Sequence, residues 1–500
     1  MGKIQKIKSF FFKNTSTKQT VAKNTVWLTI SNFGGRLIKA IIVIFGARML
    51  GTAEWGIFSY AVTLAGFFTS FMDPGVNAIL MREAPKAEEK QKMTLFSTTL
   101  VMKITLIILT AIFVLIVAPY FTTLPGAKIL LPIVVLIIAF DTLREFFSSF
   151  IRTMEKMEWE AGIFLLTNLV IVIAGFIFLL ISPTAKAFAW AYVAGTAAGA
   201  ITATFVLRRY LKNIFSFFDA KIIKPLIYSA WPFAITGALG ILLTNTDILI
   251  ISWMRSASDV GIYSAAIRIV QVFYIIPVIL QLSTLPLFAR LANKDNEKFR
   301  VGLEKTVGMI FLISLPLAFG GFILGSQIMQ LIFGSAYISG SWAFRILMLT
   351  LLVDFPATII STAIFAYNNQ KKLIITSLIG GIGNVVFDLL FIPKFGIVGS
   401  AIATLLAQIL SNWYLWHTMK KINYFNVISK LKKVALSAIL MSSVTLLLFS
   451  LHINVLINII ISAIVYIGIL ILFKEQLFKE VAEIIGLNKL DFLTKKLVRK

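Results

Sequence analysis

Long uninterrupted runs of apolar residues alternate with short polar or basic stretches along almost the whole chain. A helix rising 1.5 Å per residue needs about 20 mostly apolar residues to cross ~30 Å of hydrocarbon. Fourteen segments meet that requirement, at 25–50, 57–82, 93–119, 129–152, 160–182, 187–208, 226–254, 259–288, 302–325, 341–368, 372–393, 396–417, 433–451 and 454–473. Helix breakers separate them: Gly51, Pro125-Gly126, Pro183, Asn293-Lys294-Asp295-Asn296, Asn368-Asn369 and Pro393. Almost no loop is left between 372–393 and 396–417. The runs are continuous rather than alternating, which argues against a transmembrane barrel. The expected fold class is an all-α integral membrane protein with about 14 transmembrane helices.

Composition agrees. The chain is 58% apolar and only 14% charged, against roughly 45–50% and about 25% in soluble proteins, and its mean hydropathy is +0.91. A water-soluble enzyme and intrinsic disorder are both excluded. The net charge of +25 would suit a nucleic-acid binder, but its distribution gives another meaning. Of the 47 Lys and Arg, thirty-six fall on alternate loops, counted from the N-terminal tail, and the opposite loops carry only Lys128, Lys186, Arg255 and Lys394. Cytoplasmic loops are the basic ones, so both termini are expected in the cytoplasm, the location is a cell (inner) membrane, and no nucleic-acid partner is implied. All nine Trp lie near segment ends, where amphipathic rings sit at headgroup level. The N-terminal tail (Ile4, Ile7, Phe10, Phe11) and the C-terminal tail (Leu477, Phe478, Val481, Ile484, Ile485) each present one apolar face, as surface-lying helices do.

An internal repeat lies across these segments. Residues 53–61 and 258–266 align at an offset of 205, matching Gly56, Ile57, Ser59 and Ala61 with Gly261, Ile262, Ser264 and Ala266. Glu54 corresponds to Asp259, and Phe58 to Tyr263. Six segments separate the copies. An even number keeps both halves in one orientation, as parallel repeats about an axis along the membrane normal. The expected organisation is a basic tail over 1–24, a six-helix lobe over 25–225, a second over 226–432, two further helices within 433–473 and an amphipathic tail over 474–500. Two lobes around a cleft suggest alternating access.

Several chemistries are missing. There is no Gly-x-x-x-x-Gly-Lys-Ser/Thr loop, there are no cysteines, and the two histidines, His417 and His452, fall on opposite sides of the membrane. No metal or cofactor is expected. The outer loops are short, so a transporter is expected rather than an enzyme. Seven basic residues fall inside the segments, where a lipid-facing charge costs several kcal/mol. Arg36 and Lys39 share a face of the first, and Arg36 lies ~17 Å deep when counted from residue 25 at ~1.5 Å per residue. Arg144 and Arg268 reach similar depths, whereas Lys103 is near enough to an end to snorkel. A cavity with unpaired cations suits an anion, and the guanidinium fork suits phosphate. Arg36, Lys39, Arg144 and Arg268 are the candidate anion ligands. Asp141 and Arg144, three apart, could equally neutralise each other. The small-residue runs Gly195–Ala200 and Gly380–Gly383 permit close helix packing.

Several stretches carry a family likeness. Leu243-Thr244-Asn245-Thr246-Asp247 followed by Gly261-Ile262-Tyr263-Ser264-Ala265-Ala266-Ile267-Arg268 resembles the central signature of the polysaccharide-transport family, the O-antigen-type oligosaccharide flippases. Asn384 through Pro393-Lys394-Phe395-Gly396-Ile397-Val398-Gly399-Ser400-Ala401 resembles its second signature, with Ser400 in place of the usual Ala. Leu50-Gly51, Trp55-Gly56, Asp73-Pro74-Gly75, Arg82-Glu83-Ala84 and Ile332-Phe333-Gly334-Ser335-Ala336-Tyr337 are similar to its other patterns. The resemblance covers residues 25 to about 410. It implies membership of the multidrug/oligosaccharidyl-lipid/polysaccharide exporter superfamily, two six-helix bundles and a cationic cavity. It further implies flipping of undecaprenyl-diphosphate-linked oligosaccharide to the outer leaflet for cell-surface polysaccharide biosynthesis. The last two helices resemble the extra pair of lipid II flippases.

Two other classes stay open. A multidrug/cation antiporter of the MATE type would need acidic cavity residues, and a non-transporting scaffold would tolerate neutralising every cavity charge. Coupling to H+ or Na+ would use Asp141, Glu145 or Asp354. The expected partners are the lipid-linked oligosaccharide and the bilayer, with polysaccharide polymerase and ligase proteins as candidates.

Overall fold

The computed structural model describes residues 16–484, and these are helical almost throughout, with no strand among them. They divide into two compact units between Gly261 and Ile262. The first contains α1 (Thr17–Met72), α2 (Val76–Glu83), α3 (Glu89–Phe121), α4 (Pro125–Thr153), α5 (Met157–Ile181), α6 (Ala185–Val206), α7 (Arg208–Leu211), α8 (Ile223–Met254) and the start of α9 (Ala257–Phe273). The second holds the rest of α9 with α10 (Ile275–Leu291), α11 (Asn296–Ile323), α12 (Gly325–Phe333), α13 (Ser341–Leu349), α14 (Leu351–Ala366), α15 (Gln370–Ile422), α16 (Lys432–Ser450), α17 (Val455–Leu472) and α18 (Gln476–Ile484). Within the first unit α8 packs on α1 and α2. The apolar face of residues 4–11 lies outside the described residues.

Eleven stretches among the described residues are helical, long and apolar enough to cross a membrane. Two of them, within α1 and α15, contain two helical halves, and α8 is a further apolar helix. The arrangement is compatible with the fourteen expected segments. The junctions inside α1 and α15 are single glycines, Gly51 at φ 70°, ψ 178° and Gly396 at φ 59°, ψ −137°. A Cβ makes such conformations strained. Pro393, expected as the breaker, lies inside the helix, since its fixed φ near −65° is itself helical. The reversal occurs three residues later, and it is tight: a Cβ on Gly399 would fall 2.3 Å from the Phe391 carbonyl oxygen. Gly396→Ala should therefore destabilise the protein by about 1–3 kcal/mol. Gly320→Ala, where an added Cβ meets nothing within 4 Å, should be neutral or stabilising. Thermal unfolding in detergent checks the pair.

Within the first unit, α1 packs along α5 and α6 through small residues. A Cβ on Gly35 would strike Phe164, one on Gly46 would strike Phe188, and one on Gly175 would strike Ile42. Above them Trp55, Phe58, Phe188 and Tyr192 form an aromatic cluster with centroid separations of 4.7–6.2 Å. Trp55 is thus fully buried, not a headgroup anchor. Its place near a segment end says nothing about which way the ring faces. Trp159, Trp190, Trp253, Trp342 and Trp413 are exposed, as an interfacial belt requires.

Both repeat copies are helical, and they meet at Gly56 and Gly261. A Cβ on Gly56 would lie 1.8 Å from the Ala257 carbonyl oxygen, and one on Gly261 would lie 1.9 Å from that of Thr52. Positions 52 and 257, like 56 and 261, are related by the same offset of 205, so the contact is reciprocal. Ser258 Oγ donates to Thr52 Oγ1 at 2.7 Å beside it. The corresponding acids act as helix caps: Glu54 accepts from the Ala185 N–H at 2.7 Å, and Asp259 accepts from the Ser256 N–H at 3.2 Å.

In the second unit, α16 and α17 are fastened by a buried polar chain. Asn458 Nδ2 donates to the Thr445 carbonyl, Thr445 Oγ1 to Ser462 Oγ, and Ser462 Oγ to Asn458 Oδ1, at 2.8–3.1 Å. Tyr466 hydroxyl donates to the Leu312 carbonyl at 2.9 Å, tying the hairpin to α11. Such bonds supply association between helices that lipid does not drive together. The apolar face of α18 docks on this group. Leu477, Phe478 and Val481 pack against Met309, Val434 and Leu470, and Glu480 pairs with Lys305 at 3.0 Å. Leu477, Phe478 and Val481 of that face therefore cover the protein itself, while Ile485 lies outside the described residues.

Candidate functional site

Charges inside the first unit's helices fall into two groups. The first group is neutralised. Arg144, 3% exposed, donates Nε and an Nη to Asp141 at 2.9 and 2.8 Å and the same Nη to Glu145 at 2.8 Å. Its stem lies against Gly199, where a Cβ would come within 2.7 Å of Cδ, and Gly195 meets Ile171 as closely. The small-residue run of α6 is thus filled by packing. Arg152 is bidentate to Glu160, with Nε bonds of 2.8 and 2.9 Å, and approaches Glu145 at 3.9 Å. Lys23 pairs with Glu158 at 2.9 Å.

Lys103 belongs to the same group and corrects the snorkelling expectation. It is fully buried, with Nζ 3.3 Å from Asp73. Asp73 also ends the first long helix and caps α2, accepting from the Asn77 N–H at 3.2 Å. The Asp-Pro-Gly turn therefore brings a carboxylate to a lysine thirty residues away in the chain.

The second group is open. Arg36 is exposed and belongs to none of the ion pairs found among the described residues. Lys39, half-buried, holds its Nζ 5.1 Å over the Tyr192 ring instead of against a carboxylate. Three residues apart, the two project from one face. Tyr192 is itself fixed by Phe58 and Phe188, so the aromatic cluster orients Lys39.

In the second unit Arg268 is half-buried on α9. Asp354, on α14, accepts a short hydrogen bond from the Tyr274 hydroxyl and another from Asn412 Nδ2 at 3.2 Å. Asp388 on α15 is fully buried and accepts from Asn384 Nδ2 at 2.9 Å. Asp141, Arg144 and Glu145 are thus brought together, as are Arg36 and Lys39, while Asp354 gains Tyr274 and Asn412, which sequence reasoning missed. Those partners lie 80 and 58 residues away, and no spacing rule could have found them. A group of three or more metal-ligating side chains is absent among the described residues.

The sequence model of a family described as polysaccharide biosynthesis protein matches residues 21–292, and that of the MatE family matches residues 232–390. Over 399 residues the chain is 21% identical to a Haloferax volcanii protein described as probable low-salt glycan biosynthesis flippase Agl15. That alignment covers 77% of this chain and 81% of the relative. Among solved structures, the inward closed lipid II flippase MurJ superposes with a TM-score of 0.74 at 19% identity, covering 91% of this chain and all of the other. An inward-facing MATE family multidrug transporter superposes at 0.66 and 14% identity, covering 80% and 98%. The chain has the fold these transporters share.

Proposed function

The chain belongs to the polysaccharide biosynthesis protein family, and from that premise we propose that it flips a lipid-linked oligosaccharide across the cell membrane by alternating access. The cargo is an undecaprenyl-diphosphate-linked repeat unit moving from the cytoplasmic to the outer leaflet. Arg36 and Lys39 receive the diphosphate. One observation carries this reading: the buried in-span cations Lys103 and Arg144 are matched by carboxylates, whereas Arg36 is exposed and has no ion pair among the described residues. A guanidinium held at mid-span is costly unless it faces water or an anion, and a diphosphate supplies paired acceptors for its fork. Arg144 is then a positioning residue between α4 and α6, not a ligand. Arg268 is the second unit's candidate contact.

Transport of a labelled polyprenyl-diphosphate oligosaccharide and of the cationic dye ethidium, measured side by side in vesicles containing the protein, tests this function. The expected result is movement of the oligosaccharide lipid and none of the dye. The reverse would establish a MATE-type antiporter.

Asp354 is the coupling residue of this reading. Asp141 and Glu145 each hold Arg144, while the partners of Asp354 among the described residues, Tyr274 and Asn412, are neutral, and so it has charge available for H+ or Na+. Asp354→Asn should preserve substrate binding but make transport insensitive to collapse of the coupling gradient, lowering the driven rate at least tenfold. Flux with the proton and sodium gradients collapsed separately measures it. Gradient dependence unchanged in the variant would remove Asp354 from the role.

A further inference from the structure

A groove of about 610 Å³ runs between α4 and α6 in the first unit. Its walls are apolar, formed by Phe140 and Leu143 of α4 with Ile201 and Phe205 of α6, and one end is closed by Arg208 and Lys212. Ile201 and Phe205 are 66% and 63% exposed. On α4, at 100° per residue, Phe140 and Leu143 point roughly 150° away from Asp141 and Glu145. The groove therefore opens away from the two carboxylates that hold Arg144, and neither Arg36 nor Lys39 lines it.

The cationic end is organised. The Arg208 guanidinium carbon lies 4.3 Å over the Phe205 ring, a cation–π contact that leaves its N–H donors available. Arg208 and Lys212 are exposed and belong to no ion pair among the described residues. A second groove of about 400 Å³ between α5 and α6, lined by Phe178, Ile181 and Trp190 among others, has no charged residue in its wall. Both grooves offer space to hydrocarbon, but only one offers a counter-charge at its end. Basic pockets at the ends of membrane helices recognise anionic headgroups.

We infer that the groove between α4 and α6 is a binding site for one anionic phospholipid, its acyl chain along Phe140, Leu143, Ile201 and Phe205 and its phosphate between Arg208 and Lys212. A phospholipid fits better than the lipid-linked sugar, because beyond the two cations the wall offers almost nothing to hydrogen-bond a glycan. The site rests on the groove's own chemistry and stands whether or not the transport reading holds.

Native mass spectrometry of the full chain tests it, titrating phosphatidylglycerol against phosphatidylcholine with identical acyl chains. Phosphatidylglycerol should bind at least tenfold more tightly. Arg208→Ala combined with Lys212→Ala should abolish that preference, and Arg208→Lys should retain part of it. Thr204→Trp, which fills the groove, should weaken both lipids. Ala187→Leu, in the uncharged groove, should leave the preference intact. Equal affinity for the two lipids in the wild type, or a preference that survives loss of both cations in a folded protein, overturns the inference. So does displacement of phosphatidylglycerol by undecaprenyl diphosphate at equal concentration, which would make the groove a substrate site.

Discussion

Arg36→Ala is expected to slow transport of a polyprenyl-diphosphate oligosaccharide by roughly 10- to 150-fold, the equivalent of the about 1.5–3 kcal/mol carried by hydrogen bonds to a charged group. Arg36 lies fifteen residues before the glycine that ends its helix, about 22 Å at ~1.5 Å per residue. Solvent at the headgroups cannot replace it there. Arg36→Lys should retain part of the rate, because it keeps the charge and loses the planar fork. Lys39→Ala should have a smaller effect, since its ammonium is already engaged over Tyr192. Initial flipping rates in vesicles of matched protein content give the comparison. Wild-type rates in Arg36→Ala would remove this residue from the site.

Gly56→Ala and Gly261→Ala are expected to be among the most damaging single substitutions in the chain. In each case a new methyl carbon would sit within 2 Å of a backbone carbonyl oxygen, Ala257 for the first and Thr52 for the second. Backbone cannot rotate aside as a side chain can, so the two helices must separate by about an ångström or more. That separation breaks the Ser258–Thr52 hydrogen bond and loosens van der Waals packing, the main attraction between helices in lipid. Gly66→Ala, where an added Cβ meets nothing within 4 Å, is the matched control. Folded yield and thermal midpoint in detergent should fall sharply for the first two and stay near wild type for the third. Equal stability across the three variants would mean that the reciprocal contact contributes little.

The spans were legible because hydrophobic runs of membrane length leave few alternatives. The repeat was legible too: an offset of 205 marked two glycines whose contact proves reciprocal. The Arg144–Asp141 pair lay within reach of spacing rules, being three apart on one helix. What could not be read is which way a buried group points. Lys103 resembled a snorkelling lysine until the turn at Asp73 brought a carboxylate to it, and Trp55 resembled an anchor until α6 covered it. Asp354 was visible as a charge within a span, but its partners come from helices distant in the chain. The amphipathic face of α18 was visible, while the surface it covers was not. In each case the period of a helix gives a face, and only tertiary packing gives that face a neighbour.

The most direct measurement is equilibrium binding of a short-chain polyprenyl diphosphate to the purified full-length protein, with Arg36→Gln and Arg144→Lys beside the wild type. If Arg36 holds the diphosphate and Arg144 only positions helices, binding should be saturable in the wild type, at least tenfold weaker in Arg36→Gln and within twofold of wild type in Arg144→Lys. Equal binding by the wild type and Arg36→Gln, or binding lost only in Arg144→Lys, would contradict it.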